Sequence, residues 1–479
     1  MTTLDLSTVE CLDEALAPQY LEYHGVLPVR AEDGRLLVAT WRDDVDEQAL
    51  DDLRFRFASE PTLVRMAESE TRAAIRRVYG REATTAEALI QGLGQPGDAA
   101  AVGDTTETAI DDLLTQANQA PVVRLVNMVI SEALDLGASD IHLEQEQRGI
   151  QGRHRVDGVL LEIPAMPKHL SAAVVSRLKV MANLDIAERR LPQDGRIRLT
   201  LKDRLVDVRV STLPLLHGES IVLRLLDKRE RRLALGALGM RRDTREAFLQ
   251  AASQPNGIVL VTGPTGSGKT TTLYAVLDEI RTGREKILTV EDPVEYELDG
   301  VAQVPVNNKV GLTFARALRA LLRQDPDILM VGEIRDSETA EIATHAALTG
   351  HLVLSTLHTN DATSAVLRLQ DLGVPAFLVA STVHAVLAQR LVRKRCVACS
   401  GARGGCEACA ESGYRGRVGV FEYLHMDSDL REHVHSAHTS SSLRELAVEK
   451  GMVTLGENAD RLVRDGQTTQ DEVRRVLGG

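Results

Sequence analysis

Aromatic residues are scarce in this chain, at 3% of 479 residues, and tryptophan occurs once. Single-stranded nucleic acids are bound largely by stacking bases on aromatic side chains, so the chain offers few such platforms. The formal net charge is −13, from 56 basic and 69 acidic residues. That balance disfavours a general nucleic-acid or anionic-membrane surface, although local basic patches stay compatible with it. We therefore expect no nucleic-acid partner.

Long apolar runs are also missing. No run approaches the ~20 apolar residues needed to span a bilayer, and the opening residues MTTLDL lack the basic and apolar regions of a signal peptide. These absences predict a cytoplasmic protein. Cysteine is rare, with five residues, but four of them cluster at positions 396, 399, 406 and 409. In a cytoplasmic chain such a cluster favours a metal ion over disulfides.

A phosphate-binding loop is the most specific motif in the chain. Residues 263–270 read GPTGSGKT, which matches G-x-x-x-x-G-K-[ST]. The apolar run 258–261 predicts a buried strand before it, and helical spacing from Leu273 to Ile280 predicts a helix after it. In this arrangement backbone N–H groups surround the phosphates, Lys269 reaches the terminal phosphates and the Thr270 hydroxyl can bind Mg²⁺. We expect ATP and Mg²⁺ to be bound by Gly263, Pro264, Thr265, Gly266, Ser267, Gly268, Lys269, Thr270 and Thr271.

Composition and hydrophobic pattern divide the chain into six segments. The second segment is rich in glycine, alanine, threonine and acidic residues, as flexible linkers are. In the third segment, alternating strands follow a helix, and Asp157-Gly158 predicts a hairpin turn. The expected boundaries are 1–80 for a small α/β, partner-docking domain, 81–118 for the linker, 119–230 for a mixed α/β domain, 235–392 for the phosphate-binding α/β core, 393–412 for the cysteine segment and 413–479 for a mainly helical region.

Three further apolar runs in the core each predict a short strand that ends in polar residues. The runs span residues 287–290, 328–331 and 352–354. In an open parallel sheet, ligands sit outside the carboxyl ends of the strands, so these polar clusters should meet the phosphate loop. Glu291 follows the first run, Glu333 the second and His358 the third.

These side chains match the needs of phosphoryl transfer to water, which are a cation, a water-orienting base and groups that neutralise charge. Glu333, in the position of a Walker B acid, should hold Mg²⁺ directly or through water. Glu291 is the candidate that polarises the attacking water, and the opposite assignment of the two glutamates stays open. His358 and His351 are candidates for sensing the γ-phosphate, and a structural role is the alternative for each.

Two C-x-x-C pairs, at Cys396/Cys399 and Cys406/Cys409, can supply four thiolates to a tetrahedral ion. The short connection between the pairs must turn sharply, which its glycines permit. Four cysteines leave no open coordination position, so we expect a structural Zn²⁺ site. Redox-active or idle cysteines are the alternative.

Several stretches resemble signatures of the secretion traffic ATPases. Residues 291–295 (EDPVE) resemble their Asp box, 332–336 (GEIRD) their Walker B and 349–361 (TGHLVLSTLHTND) their His box. ASDIH at 138–142 and QRLV at 389–392 are similar to further signatures. The resemblance covers the chain from about residue 119 to the C-terminus.

The resemblance implies an α/β protein in which a RecA-like ATPase core follows a PAS-like mixed α/β domain and a small N-terminal α/β domain. It implies a homo-hexamer that hydrolyses ATP for a type II secretion system, with type IV pilus assembly as the alternative. In this family the first domain docks on an inner-membrane platform protein, so the chain would be peripheral at the inner membrane. The first domain lacks the leucine-and-glutamine repeat of cyclic-di-GMP-binding domains in the superfamily, so that ligand is not expected.

The resemblance also implies that arginines of the second domain reach the nucleotide when the ring closes. Arg209 and Arg224 lie opposite the apolar positions of their alternating strands, and Arg196 is the third candidate. A solvated strand face is the ordinary alternative for each. A nucleic-acid motor and a nucleotide-gated scaffold that hydrolyses little are the competing functions.

Overall fold

The computed structural model describes residues 12, 18–30, 36–42, 45–57, 59–78, 90, 120–201, 204–227, 234–402, 404–436 and 439–478. The predicted linker at 81–118 lies outside these ranges, apart from Ile90. Among the described residues, no helix has both the length and the apolar character to cross a membrane.

The first described unit is a three-stranded sheet with three helices. Strand β2 is buried at every position and pairs with β1 antiparallel and with β3 parallel. Leu21, Val38, Leu53 and Ile75, from three helices and the central strand, are fully buried in one cluster. The elements are α1 (Pro18–His24), β1 (Val26–Arg30), β2 (Leu36–Thr40), α2 (Glu47–Phe57), β3 (Thr62–Arg65) and α3 (Glu68–Val78).

The second unit is a six-stranded antiparallel sheet in the order β6-β5-β4-β9-β8-β7, with two helices packed on its apolar face. The predicted turn at Asp157-Gly158 joins β5 to β6, with φ of +49° and +83° at its two residues. The valines at alternate positions of β8 are buried, as expected from the period of a strand. The elements are α4 (Ala120–Asp135), β4 (Ala138–Glu146), β5 (Gly149–Val156), β6 (Val159–Pro167), α5 (Lys168–Met181), β7 (Gln193–Leu201), β8 (Arg204–Leu215) and β9 (Gly218–Asp227).

The third unit is built on a seven-stranded sheet in the order β12-β11-β13-β14-β10-β15-β16. All neighbouring strands pair in parallel except β15 and β16. Strands β10, β11, β13 and β14 are buried along their length, because helices cover both faces of the sheet. The predicted α/β class with a parallel-sheet core is confirmed.

The elements from the start of this unit through its last strand are α6 (Arg242–Ala252), β10 (Gly257–Thr262), α7 (Lys269–Ile280), β11 (Ile287–Glu291), β12 (Val301–Pro305), α8 (Phe314–Leu321), β13 (Ile328–Val331), α9 (Ser337–Leu348), β14 (Leu352–Leu357), α10 (Ala362–Asp371), α11 (Ala376–Thr382), β15 (Val383–Arg395) and β16 (Tyr414–His425). The helices after the last strand are α12 (Ser428–His435), α13 (Ser440–Glu449), α14 (Leu455–Arg464) and α15 (Gln470–Leu477).

Strand β16 begins inside the segment expected to be mainly helical. It forms a long antiparallel hairpin with β15, and the cysteine segment connects the two strands. Residues 418–422 of β16 are consecutively buried, so the run carries no alternation that would mark a strand in the sequence. The hairpin therefore attaches the cysteine segment to the edge of the core sheet.

Candidate active site

The phosphate loop leaves the carboxyl end of β10 and enters α7, as the strand–loop–helix pattern predicts. Gly263 and Gly268 have φ of +150° and +87°. A Cβ at Gly263 would lie 2.4 Å from the Gln389 backbone oxygen, and one at Gly268 would lie 2.9 Å from Gln389 Nε2. Glycine is thus required by both conformation and space, because the loop packs directly on β15. Ser267 Oγ is buried in this loop without a partner in the described part of the chain, so it is available to a phosphate oxygen.

Lys269 is a buried cation whose Nζ donates to the carbonyl oxygens of Gly263 and Pro264, at 2.8 and 3.0 Å. Burial, with a smaller contribution from the charge of Arg390, lowers its pKa to about 8, against the opposing charge of Glu333. The loop carbonyl oxygens carry only partial negative charge. A nucleotide phosphate would place full negative charge beside the Lys269 ammonium group. The loop, Lys269 and the Ser267 hydroxyl therefore fit a nucleoside triphosphate.

Glu333 lies just beyond β13, and its side chain is 13% exposed. Its Oε1 is 2.5 Å from an Arg335 guanidinium nitrogen, and its Oε2 is 3.3 Å from His358 Nε2. Burial and the charge of Lys269 lower the pKa of His358, against the opposing charge of Glu333. Glu333, His358 and Lys269 are therefore one electrostatic group at the carboxyl edge of the sheet. The Glu333 carboxylate and the hydroxyl of Thr270, in the first turn of α7, are oxygen ligands of the kind Mg²⁺ takes.

Glu291 ends β11 and is 2% exposed. One oxygen accepts from the Tyr274 hydroxyl, and the other accepts from the Thr289 hydroxyl and, at 3.1 Å, from Gln303 Nε2. Both carboxylate oxygens of the predicted water-polarising residue are thus engaged inside the protein.

Glu295, four residues further along the Asp box, was not singled out by the sequence analysis. Its Oε2 lies 4.0 Å from an Arg209 nitrogen, and its side chain is 42% exposed. Burial, and then the neighbouring charge of Glu291, raise its pKa, while Arg209 and Arg224 oppose the rise. The only sequence signal for it was its place in the EDPVE stretch.

The three predicted arginines form one row across the second sheet. Arg196 on β7 pairs with Arg209 on β8, and Arg209 pairs with Arg224 on β9, so all three point to one face. We call Arg196, Arg209 and Arg224 the arginine row. Asp140 on β4 lies directly opposite Arg224 in the sheet, and its Oδ1 accepts a hydrogen bond from Arg224 Nε at 3.0 Å. Burial, together with the charges of Arg196 and Arg224, lowers the pKa of Arg209, against the effect of Glu295.

His351 is not brought to this group within the chain. It precedes β14 at the amino end of the strand, where its carbonyl accepts from the Gly257 N–H at the start of β10. Its Nδ1 is 2.9 Å from the Ala346 carbonyl oxygen. A strand of this length separates it from the phosphate-loop edge by roughly 20 Å, at about 3.3 Å per residue. Its contacts belong to the turn that follows α9.

Residues of β15 support the site from the side. The Thr272 hydroxyl of α7 donates to Gln389 Oε1 at 2.7 Å. Arg390, 8% exposed, donates to the Asn360 carbonyl oxygen at 2.8 Å and so holds the loop that carries His358. In the sequence, QRLV is recognisable only as a signature, because no local pattern shows which loops a strand will contact.

The four cysteines of the predicted metal site converge. Their Sγ atoms all lie within 4.8 Å of one another. The Cys396–Cys406 and Cys399–Cys409 pairs are each separated by 3.9 Å, and Cys406 and Cys409 by 3.7 Å. A tetrahedral ion with Zn–S bonds of about 2.3 Å requires sulfur atoms about 3.8 Å apart, so the set fits Zn²⁺. Gly405 has a φ of +62°, and a Cβ there would lie 2.3 Å from the Glu411 carbonyl carbon, so this tight turn requires glycine.

A family model described as "Type II/IV secretion system protein" matches residues 115–475. The chain belongs to this family. A second model, described as "MshEN domain", matches residues 2–85, a segment for which the sequence analysis identified no family. No ligand of that domain follows from the match.

Curated members of the secretion family are similar to the chain over most of its length. The type II secretion system protein HxcR of Pseudomonas aeruginosa is 50% identical over 406 residues, which cover 81% of this chain and 87% of that protein. The type II secretion system ATPase E of Vibrio cholerae is 45% identical over 437 residues, which cover 86% and 87%.

Solved structures agree with the family assignment. The pilus retraction motor PilT with bound ADP is 28% identical, with a TM-score of 0.52 over 73% of this chain and 96% of that one. The Legionella pneumophila ATPase DotB, at 23% identity and a TM-score of 0.59 over 74% and 94%, shares the fold. The Vibrio cholerae relative is named an ATPase and PilT is a motor with bound ADP, which supports ATP hydrolysis as the chemistry of this chain.

Proposed function

We propose that the chain is a cytoplasmic ATPase that works as a homo-hexamer and drives the pseudopilus assembly and export steps of a type II secretion system. The observation that carries the proposal is the meeting of two parts of the chain. The arginine row of the second domain faces the Asp box, next to the phosphate loop of the core. Arginines placed against a phosphate site from another domain stabilise charge that develops in phosphoryl transfer.

Each group in the site has a role in this proposal. Lys269 binds the terminal phosphates, and Thr270 and Glu333 hold Mg²⁺, which neutralises charge on the phosphates. His358, adjacent to Glu333, senses the γ-phosphate. The arginine row supplies further positive charge when the second domain closes on the core.

Orientation of the attacking water is assigned to Glu295, in place of Glu291. What supports this change is that both oxygens of Glu291 accept internal hydrogen bonds, whereas Glu295 is partly exposed and faces Arg209. Its raised pKa also brings it closer to the range in which a carboxylate accepts a proton effectively.

The type II branch is supported by relatives that carry that name at 45–50% identity. Under the proposal the N-terminal domain docks on an inner-membrane platform protein and keeps the hexamer at that membrane. The four cysteines hold one structural Zn²⁺.

The test is Mg²⁺-dependent ATP hydrolysis by the purified chain. Lys269→Ala should lower the rate more than about a hundredfold, because it removes an electrostatic contact with the transition state. Lys309→Ala, at an exposed lysine of the same domain, is the matched control and should keep the wild-type rate. A well-folded Lys269→Ala protein with most of its activity would contradict the proposal. If the wild type hydrolyses almost no ATP with partner and lipid supplied, the result would favour a nucleotide-gated scaffold. If DNA stimulates ATP hydrolysis, the result would favour a nucleic-acid motor.

A further inference from the structure

Tyr274 lies on the phosphate-loop helix α7 and is completely buried. Its hydroxyl donates to Glu291 and accepts from the Glu295 N–H at 3.4 Å and from Gln303 Nε2 at 3.3 Å. Its ring meets the ring of Tyr296 edge to face, with centroids 4.6 Å apart. One side chain of the nucleotide-binding helix is therefore bonded to several points of the segment that follows β11.

Gln303 on β12 completes the same network. Its Nε2 is 3.1 Å from Glu291 Oε1 and 3.2 Å from the Tyr296 carbonyl oxygen, and its Oε1 accepts from the Leu298 N–H at 2.8 Å. We call residues 291–298 the Asp-box segment. Glu291, Glu295, Tyr296 and Leu298 of this segment each have a hydrogen bond to Tyr274 or Gln303.

The network turns one carboxylate of the segment inward and leaves the other facing the second domain. Glu291 is buried with both oxygens bonded, whereas the Glu295 carboxylate lies 4.0 Å from Arg209. We propose that Tyr274 is a positioning residue whose hydroxyl fixes the Asp-box segment against α7, so that Glu295 faces Arg209. The structure thus links the helix that follows the phosphate loop to the carboxylate that meets the arginine row.

A tyrosine is suited to this position because its hydroxyl both donates and accepts. It donates to a carboxylate and accepts from a backbone N–H, and both of these groups would lose a partner if the hydroxyl were removed. Burial, and then the contact with Glu291, raise the pKa of Tyr274 far above its ordinary value, so it stays a donor at every working pH. Phenylalanine would keep the ring packing against Tyr296 and remove all three hydrogen bonds of the hydroxyl.

The first test is hydrogen–deuterium exchange of the Tyr274→Phe protein without nucleotide. Tyr423→Phe is the matched control, because Tyr423 packs against the same cluster and donates to the Ala247 carbonyl at 3.0 Å. Amides of the Asp-box segment should exchange about tenfold faster or more in Tyr274→Phe, on the scale of one lost buried hydrogen bond. They should keep the wild-type rate in Tyr423→Phe. Unchanged exchange of the segment in Tyr274→Phe would overturn the proposal.

The second test is a double-mutant cycle in ATP hydrolysis, which rests on the proposed function. Tyr274→Phe should lower kcat about tenfold while nucleotide affinity stays within about twofold, because the phosphate loop is untouched. In a Glu295→Gln background the same change should have little further effect, because Tyr274 acts through Glu295. An equal loss in both backgrounds indicates a general structural role and refutes the inference. If the wild type hydrolyses no ATP, the proposed function fails, and the exchange measurement still decides the role of Tyr274.

Discussion

The buried Lys269 predicts a specific pH dependence of nucleotide binding. Burial lowers the pKa of this lysine from 10.5 to about 8 in the free protein, so its ammonium form is lost as the pH rises through about 8. A bound triphosphate restores the charged form, because it places negative charge beside Nζ. Nucleotide affinity should therefore be fully present below pH 8 and fall as the pH rises above it.

The size of the effect follows from the pKa difference. A triphosphate that returns the pKa of Lys269 from about 8 to 10.5 gains about 3 kcal/mol of affinity from this proton, at about 1.36 kcal/mol per pH unit. Above pH 8 the dissociation constant should rise about tenfold per pH unit. Between pH 7 and pH 9.5 the total increase should be about thirtyfold.

The dissociation constant can be measured at each pH by equilibrium binding of a fluorescent, non-hydrolysable ATP analogue with Mg²⁺. The γ-phosphate loses its last proton near pH 6, so its own titration lies below the measured range. Lys269→Met should bind weakly with a flat profile, and Lys309→Ala should keep the wild-type slope. A wild-type dissociation constant that stays constant from pH 7 to pH 9.5 would refute the reasoning.

Two further predictions concern the metal site and the arginine row. Elemental analysis should give one Zn²⁺ per chain. The double variant Cys396→Ser, Cys399→Ser should lose the ion and unfold at a lower temperature. A native protein that is purified without chelator and is fully stable without metal would contradict this prediction. An Arg209→Ala chain mixed with a Lys269→Ala chain should regain partial ATPase activity if the arginine acts on a neighbouring subunit. No recovery in confirmed mixed hexamers would argue against that action.

Local patterns in the sequence were sufficient for four strands of the seven-stranded core sheet and for the helix after the phosphate loop. The four apolar runs correspond to strands β10, β11, β13 and β14, because a parallel strand that is buried on both faces has a continuous apolar sequence. The rule that ligands lie at the carboxyl ends of such strands placed Glu333 and His358 beside Lys269. The arginines were found from alternation and resemblance together, and their pairing in one row follows from the strand register.

Distinctions that depend on long-range packing could not be made from the sequence. Glu291 and Glu295 both follow an apolar strand in the same motif, and only the positions of Tyr274 and Gln303 decide which is enclosed. His351 was grouped with His358 because both lie in the His-box stretch, yet they occupy opposite ends of β14. Strand β16 was missed because its partner, β15, lies beyond the cysteine segment and its buried run has no alternation.

The arginine row connects these observations to the way the ATPase would respond to its nucleotide. Like charges directly opposite one another on neighbouring strands destabilise a sheet, and three arginines are placed in this way. Asp140 offsets Arg224, and Glu295 approaches Arg209 only to 4.0 Å, so the row retains an excess of positive charge. A polyphosphate bound between the row and the phosphate loop would reduce the repulsion among the arginines and offset the cost of burying the Lys269 charge. Nucleotide binding would therefore draw the two domains together, and hydrolysis, by removing the γ-phosphate, would weaken that attraction.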